Sequence, residues 1–350
     1  MAELVLVLTD FFSAAGGRDR GEDVGAGLPR LPLLETLLAR SRVTALPAAW
    51  RGWLAARSSS VSCQAASPAA TVAAAWAARP ISGPVPGQVW LATPVHYFAG
   101  LDSVHLHPAG LLRLDSEEQR RLTADFTRVF ADSPWQLRSL GQRELLLAGP
   151  AINASGADPA YFAGCDPSPG LPRGEGAATL RRLGAEMEMW LYEHPLNLER
   201  RNRGELPVTT LWLWGAEAAP AAVPTGGPPS APAVPSAPAT AARLYGRDTY
   251  AEALWRLQGG VAAALPAAFD AALITPDADS VFLYPLLQPQ GLTAAFEQLE
   301  QRWLPAALRA VSARRASVLR LLVGAHAYSW RWLDRARFWR ARAPWWETLA

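Results

Sequence analysis

The first pattern along the chain is an unbroken apolar run, Leu4-Val5-Leu6-Val7-Leu8, held between Glu3 and Thr9. That length suits a strand covered on both faces and is far too short to span a bilayer. No basic stretch precedes it and no small-residue cleavage site follows, so it reads as a buried first strand and not as a secretion signal. Residues 31–40 read as a helix, and residues 89–98 and 103–107 as paired strands around the turn Ala99-Gly100-Leu101-Asp102. Asp115 stands three residues before Glu118 and ahead of Leu122, Phe126, Val129 and Phe130, the pattern of a capping box that opens an amphipathic helix running to about Ala131. Residues 135–140 and 144–148 form a second hairpin around Gly141-Gln142. In residues 176–194, Leu180, Leu183, Met187, Trp190 and Leu191 share one helical stripe, which Pro195 stops. Residues 208–214 are strand-like, followed by a helix at 250–257, a strand at 280–284, a long helix at 291–314 and a strand at 317–323. Strand, helix, strand predicts a right-handed crossover and a parallel pairing. The expected fold is α/β, with a mixed, mostly parallel sheet flanked by helices.

Two stretches interrupt this rhythm. In residues 216–242 seven prolines alternate with Ala, Ser, Thr and Gly, so the segment cannot build a core and reads as a disordered Pro/Ala-rich insert. Residues 58–87, rich in Ala, Ser and Pro, read as a surface excursion with a short helix around Trp76. The predicted organisation is one α/β domain in two parts, 1–215 with an inserted hairpin region and 243–350 completing it, with 216–242 between them.

Composition narrows the chemistry. All 33 basic residues of the 350 are Arg, since the chain contains no Lys, which excludes Schiff-base, P-loop and kinase-type lysines together. The net charge is +2 and the basic residues are scattered, so nucleic acid is an unlikely partner, and no segment suits a membrane. Cys63 and Cys165 have neither the number nor the spacing of a disulfide framework or a zinc site, which points to a reducing, bacterial-type cytoplasm.

Several blocks carry a family resemblance: Trp90-Leu91-Ala92-Thr93-Pro94-Val95-His96, then Glu186-Met187-Glu188-Met189-Trp190-Leu191-Tyr192-Glu193-His194-Pro195-Leu196-Asn197, then Arg200, Gly204 and Leu211-Trp212-Leu213-Trp214-Gly215. With them the chain resembles the RpfE-type bacterial regulatory family, phosphoglycerate-mutase-like in label. The resemblance implies an alkaline-phosphatase-like architecture similar to that of cofactor-independent phosphoglycerate mutases. Catalytic members of that superfamily use two metal ions held by Asp and His and a Ser or Thr that becomes phosphorylated. Asp10 stands where such folds place a metal-binding Asp. No Asp-His-Gly triplet follows a late strand, and the corresponding segment, Gly324-Ala325-His326-Ala327, offers His326 without carboxylate neighbours.

Four constellations are candidates for function. If Phe98 pairs with Ser103, His96 lies opposite His105 with His107 on the same face, and three imidazoles suit zinc, copper or iron; the alternative is a solvated strand face. His194 ends a helix, where the dipole favours an imidazolium, and Asn197, Arg200 and Arg203 follow within a turn or two, so the group suits an anionic ligand as well as a structural role. Asp10 with Thr9 or Ser13 could supply a metal ligand and a nucleophile at a strand end; the alternative is an ordinary turn. Trp330, Trp332, Trp339, Trp345 and Trp346, interleaved with Arg, read as a closing strap or as a partner-docking surface. The expectation is a non-catalytic regulatory or accessory protein that binds an anionic small molecule or a protein partner and needs no cofactor. The alternative is a metal-dependent phosphoglycerate mutase or phosphatase that uses Mn or Zn with Asp10 and Ser13.

Overall fold

The computed structural model of the chain describes residues 2–9, 29–46, 49–57, 67–76, 87–100, 103–216, 242–270, 273–274, 278–286 and 292–349. Asp10, Ser13, Cys63 and almost all of the Pro-rich insert lie outside them. In chain order the elements are β1 (Glu3–Thr9), α1 (Pro32–Arg40), β2 (Arg42–Ala45), α2 (Ala49–Ala56), α3 (Pro68–Trp76), β3 (Gln88–Ala99), β4 (Val104–Leu111), α4 (Ser116–Val129), β5 (Gln136–Arg138), β6 (Leu145–Gly149), α5 (Ala177–Tyr192), α6 (Pro195–Asn202) and β7 (Thr210–Trp214). They continue with β8 (Arg243–Tyr245), α7 (Thr249–Leu257), β9 (Ala262–Ala263), β10 (Ser280–Pro285), α8 (Leu292–Gln298), α9 (Leu304–Ser312), β11 (Val318–Val323), β12 (His326–Trp330) and α10 (Trp345–Leu349). The chain forms two compact units, residues 1–64 with 237–350, and residues 65–236. The division therefore falls elsewhere than the sequence reading placed it, because residues 65–236 build a sheet and a core of their own.

In the first unit the apolar run at the start of the chain becomes the middle strand. The sheet order is β2-β12-β11-β1-β10-β8-β9. β1 pairs in parallel with β10 and with β11, Leu6 lying opposite Phe282 and Leu321. No residue from Leu4 to Leu8 is more than 2% exposed, as a strand covered on both faces requires. β12 and β2 extend the sheet antiparallel, so it is mixed and mostly parallel, as the pattern predicted. The long helix expected at 291–314 is broken. α8 gives way to a π-helical stretch over Leu299–Trp303 before α9 resumes, because Pro305 has no N–H to donate and its ring crowds the preceding turn. Trp303 and Trp345 lie in the core with Phe282, Tyr284 and Phe296. Of the Trp-rich tail, Trp330 belongs to β12 and Trp345 is fully buried, whereas Phe338 and Trp339 are exposed. Arg337 donates to Arg40 O, and Arg340 to Ala39 O and Ser41 O, which satisfies carbonyls that the end of α1 leaves open.

The second unit holds an antiparallel sheet centred on β3. One side of β3 pairs with β6 through residues 88–92 and with β4 through residues 95–99, and the other side pairs with β7 through residues 91–95. α4 opens with both bonds of the capping box, Glu118 N–H to Asp115 Oδ1 at 2.8 Å and Asp115 N–H to Glu118 Oε2 at 2.9 Å. α5 ends where Pro195 requires. Pro195 then serves as the first residue of α6, a position whose N–H would have no partner in any case. Leu180, Leu183, Met187 and Leu191 of α5 pack with Leu211 and Leu213 of β7 in the core of this unit.

Candidate functional site

Of the residues grouped by spacing, Arg200 and Arg203 meet on one carboxylate, that of Glu118 from the chain itself, while His194 and Asn197 have other partners. Arg200 Nη1 donates to both oxygens of Glu118 at 2.9 and 3.0 Å, and its Nε donates to Leu206 O. Arg203 donates to Glu118 Oε1 at 2.6 Å and to Glu205. Asn197 is buried, with its amide nitrogen on Leu191 O and Val208 O and its oxygen accepting from Val208 N–H, so its hydrogen-bonding capacity is spent on backbone. His194 acts at a helix start as well as a helix end: Nδ1 accepts from Leu196 N–H at the head of α6, and Nε2 stands 3.2 Å from Asp125 Oδ2. Burial holds its imidazole below the ordinary value despite Asp125 nearby. The geometry is that of an internal clamp tying α4, α6 and the 205–208 segment together.

The histidines of the hairpin are brought near one another in a different register. Ala99 pairs with Val104 and Phe98 with His105, two residues from the expected alignment, and a bulge lies between Val95 and Tyr97. The ring of His96 meets that of His107 at 5.8 Å, while Phe98 packs on both His105 and His107. The nitrogens have separate partners: His96 Nδ1 with Pro207 O, His105 Nε2 with Ser103 Oγ, and His107 Nδ1 with Ala109 N–H. Three imidazoles on one ion would need converging nitrogens, so this set does not fit a metal. Among the described residues no group of three or more His, Cys, Asp or Glu side chains converges on a common point. His326 is exposed, its ring beside Tyr328, and Asp10 and Ser13 fall outside the described residues. Among the described residues no helix is long and apolar enough to cross a membrane.

A site that the motifs did not announce lies in the second unit, between the Arg181–Glu188 face of α5 and β7. It is a cavity of about 250 Å³ lined by Tyr97 and Trp212, by Leu171, Pro172 and Leu180, and by three polar side chains, Arg181, Glu188 and Thr210. Its opening has a local cause in sequence. Gly184 and Ala185 lie on α5 between the two charged residues, and a methyl group added at Gly184 would touch nothing within 4 Å. Thr210 is 3% exposed and its hydroxyl has no hydrogen-bond partner. Burial pushes the Glu188 carboxyl up, and burial, with the Glu188 charge adding, pushes the Tyr97 phenol up. Leu213 O accepts from Gly156 N–H on the outer edge of β7, and alternation along a strand turns the backbone of Leu211 to that same edge. The reading along the chain missed these residues because they come from four separated segments. The available signal was Arg-x-x-Gly-Ala-x-x-Glu on one helix, two small residues set between opposite charges.

Scanned against protein-family models the chain matches none, and no curated protein matches it either. Among solved structures it is similar to a cofactor-independent phosphoglycerate mutase from Thermoplasma acidophilum DSM 1728, at 15% identity and a TM-score of 0.36 over 95% of this chain and 90% of that one. It is also similar to a protein from Pyrococcus horikoshii, at 12% identity and a TM-score of 0.41 over 94% of this chain and 86% of that one. At these identities and scores the two matches say nothing about the chemistry of this chain.

Proposed function

We propose that this chain is a regulatory or accessory protein that binds a small molecule without turnover, and that the cavity beside α5 is the binding site. The RpfE-type resemblance leaves the function open, and a cytoplasmic setting suits such a role. The observation that carries this reading is the open cavity of about 250 Å³, whose lining sets Arg181 and Glu188 beside Tyr97, Trp212 and aliphatic side chains. The anionic ligand expected at Arg200 has no open guanidinium to meet, since Glu118 fills that place.

The competing reading is a metal-dependent mutase or phosphatase. It is favoured by the central position of β1, whose carboxyl end directs the chain toward Asp10, since open α/β sheets bind ligands at that end of their strands. One experiment separates the two. Wild-type and Asp10→Ala proteins are assayed for phosphoglycerate isomerisation and for phosphatase activity with Mn²⁺ and Zn²⁺, and wild-type and Gly184→Leu proteins are screened for thermal shifts against small amphiphiles. The binding reading expects no turnover and ligand shifts that Gly184→Leu abolishes. Turnover lost in Asp10→Ala overturns it.

A further inference from the structure

Resting on that reading, we infer that the cavity takes a bipolar molecule of the ω-amino-acid class, its ammonium at Glu188, its carboxylate at Arg181 and its methylene segment between the aromatic and aliphatic walls. The lining residues argue for both ends. Arg181 and Glu188 lie seven positions apart on α5, two turns, or about 10 Å along the axis at 1.5 Å per residue. The small side chains Gly184 and Ala185 leave the intervening face open. Neither charge is neutralised by another of the described residues. Among the described residues Arg181 makes no ion pair, its Nε contacting Ala177 O at 3.4 Å, and Glu188 has no cation beside it. The next arginine of the same helix, Arg182, does have its partner, Glu186, at the usual four-residue spacing. A carboxylate at the rim of the cavity with no counter-charge beside it attracts a cation, and Tyr97 and Trp212 offer ring surface suited to an ammonium and the methylenes next to it.

A ligand with one charge leaves the opposite end unmet. A purely cationic ligand also faces Arg181, and a purely anionic one faces Glu188, so each is disfavoured by the like charge. The apolar middle of the cavity selects methylenes over a polar linker, and its volume of about 250 Å³ admits a molecule of amino-acid size and not a nucleotide.

The test is calorimetric titration of the full chain with 6-aminohexanoate, hexylamine, hexanoate and hexanol, repeated on Glu188→Gln, Arg181→Gln and Gly184→Leu. Positions 181 and 188 are solvent-exposed on one side of the helix, and circular dichroism verifies that the variants fold. The expected result is that 6-aminohexanoate binds at least tenfold more tightly than each of the others. Glu188→Gln then reduces its affinity to that of hexanoate, Arg181→Gln reduces it to that of hexylamine, and Gly184→Leu abolishes all binding. Equal binding of all four probes, lost in Gly184→Leu, overturns the bipolar assignment and keeps the cavity as the site. No binding of any probe overturns both.

Discussion

Arg200 and Glu118 provide the sharpest test of the clamp, because both side chains are almost completely buried, at 6% and 7% exposure. Removing one partner of a buried ion pair costs about 3–5 kcal/mol, since the other charge is left without compensation in a poor solvent. In Arg200→Met, Glu118 keeps Arg203 and the Asp115 N–H, so the cost falls near the lower end, about 3 kcal/mol. In Glu118→Leu, Arg200 keeps Leu206 O but has only the exposed Glu205, at 3.3 Å, as a counter-charge among the described residues, and the capping box is lost as well, so the cost approaches 5 kcal/mol. The double variant Glu118→Leu/Arg200→Met buries no charge. Replacing a whole buried pair by apolar groups is nearly neutral, which leaves about 1 kcal/mol for the lost cap. The double variant is therefore more stable than either single one, and the cycle shows a coupling of several kcal/mol. Urea unfolding followed by circular dichroism on the four proteins measures this. Single substitutions costing under about 1 kcal/mol, or a double variant equal to the sum of the singles, would refute the clamp. A companion titration with inorganic phosphate extends the test: the clamp predicts no stabilisation of the wild type, and phosphate stabilisation lost in Arg200→Met would restore an external anion site.

Four further outcomes are expected. Burial lowers the His194, His96 and His107 imidazoles, so as the pH falls through the ordinary value of 6.5 the unfolded chain takes protons before the folded one does. Stability of the second unit is then full above that pH and declines below it, which denaturation midpoints at pH 7.5 and 5.5 would show; equal midpoints would contradict the burial of these rings. Thr210→Val removes a buried hydroxyl that has no partner and keeps its shape, so it raises the stability of the ligand-free protein by about 1 kcal/mol in urea unfolding. Gly184→Ala adds a methyl group that meets nothing and improves the helix, for a gain of about 0.5–1 kcal/mol, and a loss would mean the cavity is filled. Trp345→Ala empties a fully buried site against Phe296 in the first unit and costs about 3–5 kcal/mol, whereas the same change at the exposed Trp339 is near neutral in thermal unfolding.

What could be read along the chain was local. The capping box at Asp115 and Glu118 depends on three-residue spacing and forms as read, and the apolar run of β1 announces a strand covered on both faces. Tertiary choices were not legible. The register of the β3–β4 hairpin shifts by two residues because the turn closes from Gly100 to Ser103, with Gly100 N–H on Ser103 O, one residue later than composition suggested. The strand of His326–Trp330 was absorbed into the Trp-rich tail because its Arg and Trp neighbours mask the alternation of Tyr328 and Trp330. The expectation at Arg200 was an anionic ligand, and a sequence does not show that Glu118, 82 positions earlier, stands against that guanidinium. The cavity was invisible for the same reason, since Tyr97, Arg181, Glu188 and Thr210 share no short motif.

The central place of β1 also sets the order in which the protein can be made. Leu6 finds its two strand partners at Phe282 and Leu321, 276 and 315 residues later. During synthesis from the N-terminus, the most hydrophobic strand of the first unit emerges first and stays unpaired until nearly the whole chain has followed. The second unit, with every sheet partner inside residues 88–214, can close while β1 still waits. The nascent protein thus passes through a stage with one finished unit and one exposed apolar strand, the stage at which a holding chaperone would matter most to its yield.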